Sequence, residues 1–189
     1  LCVYCSSSDR LDSKYYVAAE ELGRELVARG WGLVYGGGKT GLMGAVARGT
    51  KAAGGRVVGV IPEFMKVREL AFEAADELIS VVTMRERKHL METRADAFVA
   101  LPGGFGTLEE IMEILTLCQL DVVNKPCVFL NQDGFYDDLL RMFEKMLAEK
   151  FFKPSNMDLF RMAATVPGIF EQIEATKNVP AEAKWFETR

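Results

Sequence analysis

The sequence predicts an α/β fold, a doubly wound and mostly parallel sheet with helices on both faces. Two observations carry that prediction. Short apolar runs of strand length alternate with amphipathic stretches of helical length along the chain, the pattern of strands joined by crossover helices. Two of the runs end directly in glycine-rich turns that open helices, Gly36-Gly37-Gly38 and Gly103-Gly104-Phe105-Gly106, and ligands of such folds bind at the C-terminal ends of the strands.

In order, residues 1–5 read as a first strand, followed by the turn Ser6-Ser7-Ser8-Asp9 and an amphipathic helix over 13–29 with Val17, Leu22 and Leu26 among charges. The serine turn offers hydroxyls, Ser7 among them, to a ligand at the strand's end; serine turns and helix caps also arise for local reasons. Residues 32–35 form a second strand, and Gly36 to Gly44 opens a helix that runs to about residue 53. Strands are expected over 56–61 and 75–82. Thr83 and Glu86 then make a capping box for a helix that starts near Met84. Residues 97–101 are a buried strand stopped by Pro102, and the helix after it repeats apolar residues at Leu108, Ile111, Met112 and Leu115. Glu110 falls with Ile114 and Leu117 on a second stripe of the same helix, which suggests cover on both sides and a partner subunit as one source of it. A strand over 125–130, a helix over 136–150, a short strand over 162–166 and a last helix over 167–176 complete a single domain spanning 1–189, with a less ordered tail from 177.

A chain of 189 residues buries a substantial core without staples. Its 49% hydrophobic and 26% charged residues are those of a globular protein, and no apolar run reaches the roughly 18 residues of a membrane span. The chain begins LCVYC, without a methionine or a basic segment before an apolar core, so it reads as trimmed rather than secretory, and a cytoplasmic location is expected. A net charge of −4 argues against a broad nucleic-acid-binding face and leaves room for a small anionic ligand. Cys2-x-x-Cys5 sits in a strand pattern, Cys118 and Cys127 supply no second such pair, and the one histidine, His89, is remote from both. No metal and no cofactor are expected.

The stretch PGGFGTLEE at 102–110 is an anion cradle. Gly103, Gly104 and Gly106 let backbone N–H groups approach a ligand, Thr107 adds a hydroxyl, and the helix N-terminus favours negative charge. The triplet Gly38-Lys39-Thr40 imitates a P-loop, but the first glycine of that motif would fall on Leu33, so the spacing fails. Gly36, Gly38 and Gly41 fit a dinucleotide-binding turn with Glu63 as the ribose acid, which keeps an NAD(P)-dependent oxidoreductase among the alternatives. Arg85, Arg87 and Lys88 crowd a helix N-terminus that disfavours each cation by roughly 0.3 to 1 kcal/mol. A phosphate shared by the cations and the helix would offset that cost; a solvated charged face is the other reading. Thr107 and Glu110 have capping-box spacing, so Glu110 is on these grounds either a helix cap or a functional carboxylate.

Together, GGGKTGLMG at 36–44, MRERK at 84–88 and PGGFGTLEE at 102–110 resemble, in order and spacing, the LOG family of cytokinin riboside 5′-monophosphate phosphoribohydrolases, often labelled lysine decarboxylases. The resemblance covers nearly the whole chain. It implies a Rossmann-like domain, a tendency to dimerise, and hydrolysis of the N-glycosidic bond of a purine nucleoside 5′-monophosphate to free base and ribose 5-phosphate. It further implies that Arg87 and Glu110 are catalytic and that Ser7, Gly36, Gly37, Met84, Lys88, Gly103, Gly104, Gly106 and Thr107 hold phosphate and ribose. A decarboxylase would need a pyridoxal-phosphate lysine, and no motif identifies one. Ser6 stands where many members have glycine, Phe105 where many have tyrosine, and Arg85 and Glu86 replace the histidine and glutamine of plant members. These departures leave the proposed pair intact and admit plain AMP as substrate. A noncatalytic nucleotide-binding or carrier module remains the alternative from another class.

Overall fold

The computed structural model describes residues 1–69 and 71–177. The elements alternate as β1 (Cys2–Tyr4), α1 (Ser13–Ala28), β2 (Leu33–Tyr35), α2 (Gly41–Ala52), β3 (Val57–Pro62), α3 (Glu63–Glu69), β4 (Glu77–Val81) and α4 (Met84–Thr93), then β5 (Phe98–Ala100), α5 (Phe105–Gln119), β6 (Cys127–Leu130), α6 (Asp137–Ala148), β7 (Arg161–Ala163) and α7 (Val166–Lys177). The seven strands form one sheet in the order β4-β3-β2-β1-β5-β6-β7, and every pairing is parallel. The predicted fold class holds, and the predicted elements recur with ends shifted by a few residues at most.

Three short elements escape the sequence pattern. The seven-residue α3 follows Pro62 without a break, and two 3-10 turns lie at Gln132–Gly134 and Pro154–Leu159. Each is too short for a helical period to stand out. The expectation of a less ordered tail falls on residues 178–189, outside those described. No helix among the described residues is long and apolar enough to cross a membrane.

Strand alternation sends side chains to two cores, one on each face. Val3, Cys5, Leu33, Tyr35, Val99 and Leu101 pack with α1, α2 and α7. Cys2, Tyr4, Val34, Val60, Phe98 and Phe129 pack with α4, α5 and α6. The apolar central strands are thus buried on both sides, as parallel sheets require. The second stripe of α5 belongs to this packing: Ile114 is buried in the same cluster as Met91 of α4. That stripe therefore gives no sign of a partner subunit, contrary to its reading from periodicity.

Parity also settles the Cys2-x-x-Cys5 pair. Residues three apart in a strand point to opposite faces, so the two thiols lie in different cores and cannot share a bond or an ion. All four cysteines are buried thiols outside any disulfide. Burial pushes the Cys2 thiol up to about 12, outweighing the effect of its Tyr4 neighbour. At pH 8 that leaves about one thiol in ten thousand as the reactive thiolate. Titration of the native protein with an aromatic disulfide is therefore expected to leave Cys2 unmodified over the time in which the unfolded chain yields four thiols; prompt reaction of native Cys2 contradicts the burial.

Candidate active site

Strand order reverses between β1 and β5, which are neighbours in register Tyr4 to Ala100. Chain segments leaving these two strands diverge, and the crevice between them is where open α/β sheets bind ligands. The segment after β5 leads directly into α5. Gly104 is the N-cap of α5, in extended conformation, and no side chain caps the helix. Among the described residues the first-turn N–H groups of Phe105, Gly106 and Thr107 find no acceptor, and a Cβ at Gly104 or Gly106 would meet open space. The partial positive end of α5 thus faces the crevice unneutralised.

The other glycine turn is built differently. Gly41 N–H donates to the Asp9 carboxylate at 2.7 Å, and the Leu42 and Met43 N–H groups donate to the Ser6 carbonyl at 2.9 and 3.4 Å. Protein groups therefore occupy the N-terminus of α2, and Glu63 is an exposed residue at the head of α3. A dinucleotide pyrophosphate on α2 would have to displace those bonds, which removes the geometric basis of the oxidoreductase reading. Gly41 itself adopts φ +57° against the Ser6 and Ser7 backbone, a conformation and an approach that favour glycine.

Arg87 ties these parts together. The Thr83–Glu86 capping box forms as expected and fixes the start of α4, which turns Arg87 inward. The residue is only 5% exposed. Its Nε donates to the Val60 carbonyl of β3 at 3.1 Å, its Nη2 to the Gly36 carbonyl at 2.9 Å, and its Nη1 reaches Glu110 Oε1 of α5 at 3.5 Å. A Cβ on Gly36 would collide with this guanidinium. Glu110 is nearly as buried. Because the N-cap is Gly104 and not Thr107, Glu110 lies inside the second turn and is not the partner of a capping box.

The three cations of the α4 terminus part company. Arg87 points inward, Arg85 is exposed, and Lys88 is held between Glu109 and Glu113 of α5. Partial burial lowers the Lys88 affinity for its proton, but the two carboxylates outweigh it and hold the ammonium above its ordinary value. Of the remaining predicted residues, Met84 is half-buried at the first position of α4. Gly37 is buried at φ +79°, and its carbonyl accepts from Phe72 N–H. Gly103 packs on the Thr107 side chain, which is buried under the loop. Ser6 and Ser8 make local turns by accepting from the N–H groups of Ser8 and Arg10, while Ser7 is exposed at the end of β1. Arg87 is thus in direct contact with Glu110 and with the Gly36 carbonyl; Ser7 and the Gly103 loop leave adjacent strands; and Lys88 sits beside the pair, facing acids. The sequence reading missed the capping carboxylate of Asp9 and the Val60 carbonyl. The first lay in a turn read for its hydroxyls, and the second is backbone, which sequence does not reveal.

A family described as "Possible lysine decarboxylase" matches residues 43–173. Of curated relatives, a rice protein (Oryza sativa subsp. japonica) named "Probable cytokinin riboside 5'-monophosphate phosphoribohydrolase" is 47% identical over 92% of this chain and 77% of its own length. An Arabidopsis thaliana cytokinin riboside 5′-monophosphate phosphoribohydrolase is 41% identical over 98% of this chain and 83% of its own. The chain belongs to the LOG family. Among solved structures, a molybdenum cofactor carrier protein of Chlamydomonas reinhardtii covers 93% of this chain with a TM-score of 0.71 at 24% identity, a likeness of fold.

The lysine decarboxylase description of this LOG protein does not fit its site. A pyridoxal-phosphate lysine must be readily deprotonated. Lys88, the lysine beside Arg87 and Glu110, is held protonated by two carboxylates, and Lys39 is exposed.

If Gly36 is glycine because Arg87 lies on it, Gly36→Ala is expected to cost about 1–3 kcal/mol in denaturant unfolding through overpacking. Gly104→Ala, in open space at a negative φ, should change stability by about 0.5 kcal/mol or less. Equal losses in the two variants would contradict the seat.

Proposed function

We propose that this protein hydrolyses the N-glycosidic bond of a purine nucleoside 5′-monophosphate, a cytokinin riboside 5′-monophosphate or AMP, to free base and ribose 5-phosphate. The observation that carries this is the Arg87–Glu110 pair, set one turn beyond an uncapped helix N-terminus. The activity named for the curated relatives supports it. The 5′-phosphate takes the N–H groups of Gly103, Gly104, Gly106 and Thr107, and Ser7, Gly36, Gly37, Met84 and Lys88 complete the hold on phosphate and ribose.

The reaction breaks the C1′–N bond with its electron pair leaving on the base, and water adds its oxygen to C1′. Positive charge grows on the ribose ring, and the Glu110 carboxylate answers it and takes one proton of the attacking water; the departing base takes up one proton in turn, so that neutral base leaves and the carboxylate is restored. Arg87 aims that carboxylate and balances its charge in a buried setting, where an ion without a partner is costly. Water is the only co-reactant, so the proposal calls for no cofactor or metal. A homodimer in the cytoplasm is the proposed form. Exposed apolar residues at both ends of α5, Phe105, Leu120 and Val122, favour association.

Incubation with AMP and with isopentenyladenosine monophosphate should release free base and ribose 5-phosphate from at least one of them. Glu110→Gln, close in shape, should lower kcat by about 100-fold or more while the protein remains folded. AMP binding without base release would leave a carrier, and retained turnover in Glu110→Gln would remove Glu110 from catalysis.

A further inference from the structure

The three acceptors of Arg87 differ in how firmly they are held. Val60 belongs to β3 and is paired there with Ile79 of β4. Gly36 lies beyond the end of β2, in a run of three glycines, the backbone with the most freedom to rotate. The third contact, from Nη1 to Glu110 Oε1, is 3.5 Å, longer than an ordinary hydrogen bond. A small rotation of the guanidinium therefore closes or opens it. The Gly36 carbonyl, which accepts from Nη2 at 2.9 Å, sets that rotation.

The glycine turn is held from outside, by the segment that leads into β4. Phe72 N–H donates to the Gly37 carbonyl at 3.0 Å, and Ala71 faces Gly38 in an isolated antiparallel bridge. The Phe72 side chain packs on the core that contains Tyr35, Leu42 and Met43. Asp76 fastens the other end: its N–H donates to the Val57 carbonyl at 3.0 Å, and its carboxylate accepts from Val57 N–H and from Lys51 Nζ of α2, each at 2.7 Å. Residues 71–76 thus form a strap from the glycine turn to the start of β3. Its hold reaches Arg87 across one peptide. The Gly36 carbonyl lies in the planar peptide that joins it to Gly37, so its direction relative to the Gly37 carbonyl depends only on the two dihedrals of Gly37. Gly37 is buried at φ +79° with Ile61 and Leu78 close by, and its carbonyl is tied to Phe72. Little freedom is left to the Gly36 carbonyl.

Resting on the phosphoribohydrolase reading, we infer that Phe72 is a positioning residue of the reaction. The strap holds the glycine turn, the Gly36 carbonyl holds the Arg87 guanidinium, and the guanidinium holds the Glu110 carboxylate toward C1′. The bonds of the strap fall on the glycine turn, α2 and β3, away from the N-terminus of α5. Slackening it costs turnover and spares the binding of phosphate.

The test separates the N–H of Phe72 from its side chain. Phe72→Pro removes the donor and keeps apolar surface, Phe72→Leu keeps both, and Phe72→Ala keeps the donor and loses the anchor on the core. Three quantities are measured: kcat for base release from AMP and isopentenyladenosine monophosphate, inhibition by inorganic phosphate, and hydrogen exchange of the Arg87 guanidinium by NMR, its signal identified by its loss in Arg87→Gln. In Phe72→Pro, kcat is expected to fall about tenfold or more and guanidinium exchange to quicken about tenfold or more, with the phosphate inhibition constant within about twofold of wild type. Phe72→Leu should stay within about twofold of wild type in all three. If Phe72→Pro does not fold, Phe72→Ala is held to the same criteria. Unchanged kcat, unchanged exchange, phosphate inhibition weakened as much as kcat falls, or an equal loss in Phe72→Leu overturns the assignment. Absence of base release by the wild type instead removes the parent reading, and guanidinium exchange then decides on the strap by itself.

Discussion

A guanidinium that is 5% exposed cannot shed its charge, so it must find acceptors inside the protein, and in Arg87 that need organises the whole C-terminal edge of the sheet. The acceptors come from three separate pieces of chain: the Gly36 carbonyl after β2, the Val60 carbonyl in β3, and the Glu110 carboxylate in α5. None is a neighbour in sequence. Each is held where it is partly because the others are, and removal of either member of a buried ion pair typically costs about 3–5 kcal/mol. The site is therefore a product of the fold as much as of its motifs.

The two glycine turns show how similar sequences take on different duties. At α2 the turn is closed from within: Asp9 and Ser6 satisfy its N–H groups, and the Gly36 carbonyl is given to Arg87. At α5 the turn is left open, with no side-chain cap and no Cβ obstruction at Gly104 or Gly106. One turn builds the scaffold that fixes the arginine; the other presents a positive end to solvent. In the proposed reading an anion entering the crevice takes the second, one helical turn from Glu110.

How much of this could be read in advance follows from what each feature rests on. Strand and helix alternation is a matter of side-chain periodicity, so the parallel sheet, the capping box at Thr83 and the core roles of Cys2 and Cys5 were legible. Arg87 and Glu110 were legible as family motif residues, but as chemistry each had a plain alternative, a solvated face for one and a helix cap for the other. Structure removes both, because one turn of backbone makes Gly104 the N-cap and α4 turns Arg87 inward while leaving Arg85 outside. The second stripe of α5 misled, since periodicity reports that a face is covered and not by what; the cover is the core of the same chain. Backbone acceptors such as Val60, and the clamp of Glu109 and Glu113 on Lys88, depend on contacts between elements more than twenty residues apart and leave no local signal.

That Arg87 and Glu110 act as one unit is the claim on which the account turns, and a double-mutant cycle measures it. Arg87→Gln, Glu110→Gln and the double variant are compared by kcat/KM for base release, with folding checked in each. If the arginine works through the carboxylate, the double variant loses no more than the worse single variant, a coupling of about 1–3 kcal/mol or greater. Losses that simply add would mean that the two residues act independently, and the buried pair would then be a structural contact only.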